Sequence, residues 1–206
     1  MTNLSIPTLE DLESSIGGLE NKRVLVRCDF NVPLRNGEIA DDLRIKAAIP
    51  TVSWLIERSA EVVLCTHFGR PEGKPDPRFS IEILRGRVEE LAPSVELIEN
   101  LRFNPGETAN SPEFVRFLVE GAGGAPFDAY VNDAFGVSHR AHASVVGPPM
   151  MLPSAAGRLL QREVEVLGAM RSSPQRPFLA VLGGAKVSDK LGVIEALLEV
   201  VDRLII

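Results

Sequence analysis

The sequence has little cysteine, few aromatic residues and no excess of positive charge. Its 206 residues include 2 cysteines, 1 tryptophan and 1 tyrosine, and 22 Lys and Arg stand against 28 Asp and Glu, a net charge of −6. Two cysteines cannot supply the disulfide framework of a small secreted domain. The acidic balance argues against a general nucleic-acid binder, which would carry a basic excess, but it is compatible with a local basic cleft.

Signals for secretion and membrane insertion are also missing. The first 15 residues, MTNLSIPTLEDLESS, contain acidic residues and no sustained apolar core, unlike a signal peptide. No apolar run approaches the roughly 18 residues of a membrane helix. Cys28 and Cys65 lie in apolar runs, which favours buried, unreactive thiols in a reducing compartment. We expect a cytoplasmic protein without a membrane or nucleic-acid partner.

Short apolar runs alternate with longer segments of helical periodicity, which is the pattern of a parallel sheet with crossover helices. Strands are predicted at Arg23–Phe30, Glu61–Thr66, Ser94–Ile98, Ala129–Asn132, Pro177–Leu182 and Arg203–Ile206. Helices are predicted at Leu43–Glu57, kinked at Pro50, and at Ile81–Leu91, Pro112–Glu120, Leu159–Met170 and Ser188–Val201. The expected fold class is α/β, with three α/β/α layers around a mainly parallel, Rossmann-like sheet.

The length of the chain predicts one domain and a fraction. At about 150 residues per domain, 206 residues exceed a single domain. The Pro-containing polar loop Arg171–Pro177 is the best candidate for a boundary. We predict a first domain over residues 1–175. Residues 176–206 are predicted to be the first β-α-β portion of a second α/β domain, which is incomplete in this chain.

Polar and basic clusters follow five of the predicted strands directly. Since the carboxyl ends of parallel strands face one crevice, these clusters are expected to converge there. Together with Arg44, from the helix after the first cluster, these clusters are mainly cationic. The positive charge predicts a ligand with several negative charges. Because most of the cations are arginines, which bind phosphate and carboxylate groups in bidentate fashion, the ligand is expected to carry such a group. The clusters contain Asp29, Phe30, Asn31, His67, Phe68, Gly69, Arg70, Arg102, His139, Arg140, His142, Gly183, Gly184, Lys186 and Lys190.

Simpler interpretations of single motifs stay open at this point. Asp29 and Asn31 suit a turn as well as a site. His139 and His142 have the spacing of a metal pair on a helix, but no cysteine or carboxylate completes a ligand set, so no metal site is predicted. Gly183–Gly184, before a lysine and a predicted helix, fits a cradle of backbone N–H groups for phosphate, although the Gly-Lys-Ser/Thr ending of a Walker A loop is missing.

Six ordered segments resemble the N-terminal half of the phosphoglycerate kinase family. They are VRCDFNVPL, DDLRIKAAIPT, THFGRP, ENLRF, NDAFGVSHRAHAS and FLAVLGGAKVSDK, in the family's order between residues 23 and 190. Each segment is weak evidence alone, whereas six in order are specific. The resemblance covers essentially the whole chain.

The resemblance implies reversible phosphoryl transfer between 1,3-bisphosphoglycerate and ADP, giving 3-phosphoglycerate and ATP in glycolysis, with Mg²⁺ accompanying ATP or ADP, in a family that is usually monomeric. It implies a phosphoglycerate-binding N-terminal domain and a nucleotide-binding C-terminal domain that close about a hinge. By motif, the substrate-binding residues are Asp29, Phe30, Asn31, Arg44, His67, Phe68, Gly69, Arg70, Arg102 and Arg140. The implied catalytic residues are Arg44, Lys186 and Lys190, of which Lys190 also contacts the nucleotide.

The sequence departs from the family pattern in four places. Thr66-His67-Phe68 replaces Ser-His-Leu, and Val137-Ser138 replaces Thr-Ala. The segment between Gly-Arg-Pro and Glu-Asn-Leu-Arg-Phe is shorter than usual, so a strand-helix unit at the sheet edge is expected to be lost or abbreviated. The chain stops at Ile206, so most of the nucleotide domain is expected to be absent and this chain alone is not expected to catalyse.

Two other hypotheses compete with the kinase. The first is a catalytically incomplete phosphoglycerate-binding fragment or module. The second is an unrelated phosphate-binding α/β protein, which would require the six ordered motifs to coincide by chance.

Overall fold

The structure is a computed structural model that describes residues 6–183 and 191–206. It forms two compact units, one extending to Arg162 and the other from Glu163 to Ile206. The predictions for Gly184, Lys186, Ser188 and Lys190 lie outside the described residues.

The first unit is built on a five-stranded sheet whose pairings are all parallel, in the order β5-β4-β1-β6-β7. A separate antiparallel hairpin is formed by β2 and β3. The first, second, third and fourth strand predictions are confirmed as β1, β4, β5 and β6, whereas the hairpin and β7 were not predicted. The strands are β1 Arg23–Arg27, β2 Leu34–Arg35, β3 Glu38–Ile39, β4 Glu61–Cys65, β5 Glu96–Leu97, β6 Ala129–Asn132 and β7 Ser154–Ala156.

Helices cover both faces of this sheet, which confirms the predicted layered α/β fold. Side chains of α1, α2 and α3 share one core with Val24 and Val26 of β1. Side chains of α5 and α6 share a second core with Leu25 on the opposite face of that strand. The helices of this unit are α1 Leu9–Ile16, α2 Leu43–Ile56, α3 Glu82–Leu91, α4 Pro105–Ala109, α5 Pro112–Val119 and α6 Ala143–Val146, and α7 Arg158–Ser172 begins in it.

Local sequence explains where two of these helices begin or continue. The hydroxyl of Ser111 accepts the N–H of Phe114 and Pro112 occupies the first turn, so α5 begins where the cap signal predicts. Pro50 lies inside α2, which nevertheless runs without interruption from Leu43 to Ile56. The segment from Val145 to Pro153 contains three prolines, and it holds the end of α6 and a 3₁₀ turn at Pro148–Met150.

The second unit contains a parallel strand pair. Strand β8 (Leu179–Val181) pairs with β9 (Arg203–Ile205), and α8 (Leu191–Leu198) lies between them in sequence, in the predicted β-α-β order. Helix α7 carries the chain from one unit into the other, because the units divide between Arg162 and Glu163. The domain boundary between residues 175 and 176 stays a prediction.

Among the described residues, no helix is both long and apolar enough to span a lipid bilayer.

Candidate functional site

The loops after β1 and β4 meet at the carboxyl edge of the sheet. The amide of Asn31 has its carbonyl oxygen, Oδ1, 2.9 Å from the backbone nitrogen of Gly69, which donates to it. The carbonyl of Gly69 accepts from Nη1 of Arg102 at 2.9 Å. The predicted convergence is therefore present for these three clusters, and Gly69 is the point where the three segments join.

Gly69 is required at this junction by its backbone and by its surroundings. Its φ is +62°, in the left-handed region that favours glycine. A Cβ built on it would lie 2.2 Å from the Phe79 ring. Any larger residue would have to displace that ring and distort the turn that holds Asn31 and Arg102.

Asp29 and Arg44 form an ion pair beside this junction. Nη1 of Arg44 lies 2.5 Å from Oδ2 of Asp29, and about half of the Arg44 side chain is exposed. A Cβ at Gly136 would lie 2.7 Å from the same Asp29 oxygen, so the loop after β6 packs directly against the pair. Oδ1 of Asp29 also accepts from the Asn31 N–H at 3.3 Å. Asp29 thus holds a turn through Asn31 and pairs with Arg44, and its contact with a substrate stays a prediction.

A pocket of about 530 Å³ contains most of the predicted arginines. Burial and the nearby charges of Arg140, Arg27 and Arg70 lower the pKa of Arg102. Its Nε is buried and, among the described residues, has no hydrogen-bond partner. Clustered guanidinium groups with a free donor fit an anionic ligand. The lining residues are Arg70, Glu72, Gly73, Arg102, Pro105, Thr108, Arg140 and His142.

Phe30 and Phe68 are placed next to the site but face away from it. Their side chains are buried in the core that α1, α2 and α3 share with the sheet. The N–H of Phe30 donates to Oγ1 of Thr66 at 2.9 Å, and the N–H of Phe68 donates to Oδ1 of Asn100 at 3.1 Å. The two phenylalanines therefore anchor the loops, and their contact with a substrate stays a prediction.

His67 is not one of the cations of this cluster. Burial, and then the charges of Arg27 and Arg102, lower the pKa of His67 to about 2. Nδ1 lies 3.2 Å from Nη2 of Arg27, which can only donate, so the ring proton belongs on Nε2. Nε2 lies 3.9 Å from Oδ1 of Asp29. His67 is a neutral N–H donor, and its role in substrate binding stays a prediction.

A buried polar network beneath the pocket was missed by the sequence analysis. Nε of Arg27 donates to Oγ of Ser144 at 2.9 Å, and this hydroxyl donates to Oε1 of Glu107 at 2.6 Å. The Tyr130 hydroxyl donates to the Ser144 carbonyl at 2.6 Å. An arginine inside the apolar run VLVRC was a usable signal for this network. Nothing local to Glu107 or Ser144 points to it.

Two further buried side chains hold the loops in place. Asn100 donates to the carbonyls of Phe68 and Phe79 at 2.6 and 2.8 Å. Oδ1 of Asp133 accepts the Leu159 N–H at 2.9 Å at the start of α7, and burial raises the pKa of Asp133 to about 6. Asn100 and Asp133 both follow predicted strands, but neither was among the predicted site residues.

Among the described residues of the predicted clusters, His139 is not brought into the pocket. His139 is exposed and does not line it. Lys186 and Lys190 lie outside the described residues. Within 6–183 and 191–206, no three His, Cys, Asp or Glu side chains come together to hold a metal ion.

Comparison with known proteins identifies similar chains. The family profile described as "Phosphoglycerate kinase" matches residues 14–96 and 91–206. The phosphoglycerate kinase of Rubrobacter xylanophilus is 50% identical over 222 residues, covering 97% of this chain and 54% of that protein. The phosphoglycerate kinase of Salinispora tropica is 49% identical over 229 residues, covering 98% of this chain and 57% of that protein.

Two solved structures share the fold over nearly the whole chain. The phosphoglycerate kinase of Coxiella burnetii superposes with a TM-score of 0.84 at 36% identity, and that of Pyrococcus horikoshii OT3 with 0.82 at 31% identity. Each comparison covers 97% of this chain and 54% of the solved one. The chain thus spans about half the length of the relatives that it matches.

Proposed function

This chain belongs to the phosphoglycerate kinase family, whose N-terminal half it represents, and we propose that the protein transfers a phosphoryl group reversibly between 1,3-bisphosphoglycerate and ADP, giving 3-phosphoglycerate and ATP. The described residues supply the phosphoglycerate-binding part of that activity. A cytoplasmic location and a monomeric state are part of the same proposal.

The observation that carries the proposal is the state of Arg102. Its guanidinium is partly buried among other cations, and its buried Nε has no partner among the described residues. A phosphate or carboxylate in the pocket would complete its hydrogen bonds and relieve its repulsion with Arg70 and Arg140. 3-Phosphoglycerate carries both kinds of group.

Arg44 is proposed to act on the transferring phosphoryl group. Phosphoryl transfer depends mainly on positioning and on stabilising developing charge, which a guanidinium can supply. Because the acceptor is a carboxylate in the ATP-consuming direction, it is already ionised at neutral pH and needs no general base. Asp29 orients Arg44 through their 2.5 Å contact, which leaves part of the guanidinium exposed.

The nucleotide is proposed to bind through Lys190, with Lys186 beside the transferring group. Mg²⁺ would neutralise nucleotide phosphate charge in this family. The described residues provide no clustered set of potential metal ligands, so no step here is assigned to the metal, and its ligands are proposed to lie elsewhere in the whole protein.

The competing proposal is a phosphoglycerate-binding module that does not catalyse alone. The observation in its favour is coverage, since the chain corresponds to 54% of the Rubrobacter xylanophilus kinase. Under this alternative the pocket binds 3-phosphoglycerate, but no ATP is formed from 1,3-bisphosphoglycerate and ADP.

Calorimetric titration with 3-phosphoglycerate tests the shared step. We expect Arg102→Met to weaken binding at least about tenfold, because a charge-assisted contact contributes about 1.5–3 kcal/mol. Arg85→Met is the matched control, since Arg85 is on α3 and pairs with Glu82 at the surface. No binding by the folded wild-type chain would contradict both proposals.

A coupled assay of ATP formation then separates the kinase from the module. Turnover by the 206-residue chain would exclude the non-catalytic module. Binding without turnover would support the module for this chain, and the same assay on a full-length family member would test the pocket's part in the complete reaction.

A further inference from the structure

A carboxylate is buried directly behind the wall of the cationic pocket. Glu107 is 0% exposed and lies on α4, between Pro105 and Thr108, which both line the pocket. Its Oε1 is 3.7 Å from Nδ1 of His142, another lining residue. A carboxylate at this position reduces the positive electrostatic potential that would attract an anion to the pocket.

Ser144 connects this carboxylate to Arg27. The Ser144 N–H donates to Oε2 of Glu107 at 2.9 Å, and its hydroxyl donates to Oε1 at 2.6 Å while accepting from Nε of Arg27. A buried guanidinium and a buried carboxylate each need such partners. The pair is therefore linked through one hydroxyl and does not need direct contact.

Glu107 also offsets repulsion among the pocket's cations. Burial is the main cause of the lowered pKa of His142, and Arg102 and Arg140 lower it further, whereas Glu107 raises it. Glu107 raises the pKa of Arg102 in the same way. In the empty pocket, the carboxylate takes part of the role that an anionic ligand would take.

We propose that Glu107 is an internal counterion that stabilises the empty pocket and reduces its affinity for anions. The identity of 3-phosphoglycerate as ligand rests on the proposed function, but the electrostatic effect applies to any phosphate group in the pocket. Removing the negative charge leaves the cations less compensated, so the empty protein becomes less stable and an anion is attracted more strongly. A purely structural role predicts instead that stability and affinity fall together.

Glu107→Gln tests the charge with little change of shape. Affinity is measured by calorimetry with inorganic phosphate and, separately, with 3-phosphoglycerate, and stability by urea unfolding. We expect about threefold to tenfold tighter phosphate binding together with a lower unfolding midpoint. Glu113→Gln is the matched control, because Glu113 accepts from the Ser111 hydroxyl at 2.6 Å but on an exposed turn. Weaker phosphate binding by folded Glu107→Gln would overturn the proposal.

Titration of His142 by NMR gives a readout that does not depend on a ligand. We expect the pKa of His142 to fall further in Glu107→Gln and to be unchanged in Glu113→Gln. An unchanged pKa in folded Glu107→Gln would also overturn the proposal. The charged or titratable groups that act on His142 from the surrounding elements are Glu107, Arg27, His67, Arg102 and Arg140.

Ser144→Ala keeps the proposal testable if Glu107→Gln does not fold. It removes the hydroxyl between Arg27 and Glu107 but retains the carboxylate, so phosphate affinity is expected to stay within about twofold of wild type. A larger loss would assign the effect to shape and reject the counterion. If phosphate binding responds as expected while 3-phosphoglycerate binds to neither form, the proposed function fails and the counterion stands.

Discussion

Nη2 of Arg27 donates to Nδ1 of His67 across 3.2 Å, between the ends of two neighbouring parallel strands. This contact fixes the ring as a neutral imidazole, because a protonated ring would offer the guanidinium no acceptor. Folding therefore prevents His67 from taking up the proton that it binds in the unfolded chain below about pH 6.5.

His67→Gln is expected to reduce the loss of stability on acidification. The pKa of His67 is lowered from 6.5 to about 2. Its contribution to the free energy of unfolding is therefore full above pH 6.5 and is lost progressively as the pH falls below that value. The slope is at most about 1.4 kcal/mol per pH unit for one group. Urea unfolding at several pH values between about 4.5 and 7, monitored by the fluorescence of Trp54, measures how the free energy of unfolding changes with pH. His139→Gln, at an exposed histidine, is the control, and an unchanged slope in His67→Gln would contradict the prediction.

Asp133→Asn is expected to have the opposite effect. The pKa of Asp133 is raised from 3.8 to about 6 by burial, so its contribution is full below pH 3.8 and is lost as pH rises through about 6. Between pH 3.8 and about 6, the contribution of Asp133 to stability therefore changes with pH in the direction opposite to that of His67. Without the carboxyl group, the variant should lose stability on acidification more steeply than wild type, by up to about 3 kcal/mol. Asp41→Asn is the control, since Asp41 also accepts a helix-start N–H but is exposed. The same unfolding series decides, and a slope equal to that of wild type would reject the assignment.

Gly69→Ala is expected to destabilise the protein more than Gly37→Ala. Both glycines have positive φ, +62° and +82°, but a Cβ meets the Phe79 ring only at Gly69, and nothing lies within 4 Å at Gly37. Backbone strain alone costs about 1 kcal/mol, and the clash adds about 1–3 kcal/mol. Unfolding midpoints and phosphate affinity measure both effects. Equal losses in the two variants would show that the ring moves without cost.

Arg44→Ala is expected to lower turnover far more than it weakens 3-phosphoglycerate binding in a full-length family member. The reason is that Arg44 is proposed to stabilise the transferring group, while Arg102 and Arg140 line the pocket. The test compares the change in kcat with the change in the dissociation constant of 3-phosphoglycerate between variant and wild type. Lys46→Ala, on the same helix, is the control. Equal losses would reassign Arg44 to ground-state binding.

Local signals explain why the fold could be predicted. Apolar runs and turn residues encode β1, β4 and β6 within a few residues, and the clusters after them converge because parallel strands share a carboxyl edge. Helix α1 was not predicted, although Thr8 and Asp11, which form a capping box, were a usable signal for its start. Strand β7 was harder, because its three small residues show no periodicity.

The charge state and support of the site could not be read from the sequence. Arg27 and Ser144 are 117 residues apart, and Glu107 and Ser144 are 37 apart, so no local pattern joins them. The neutral state of His67 follows from burial and from Arg27, both of which arise only on folding. The sequence identified three arginines that line the pocket, Arg70, Arg102 and Arg140, whereas the compensation of their charge depends on tertiary packing.

The hydrogen bonds of Ser144 have a consequence for synthesis on the ribosome. They join residues from β1, α4 and β6, so this buried network cannot be complete until α6, at Ala143–Val146, has emerged and docked. Domains fold as units during synthesis. A nascent chain that ends before Ser144 would contain Arg27 and Glu107 without the hydroxyl that links them in the folded protein.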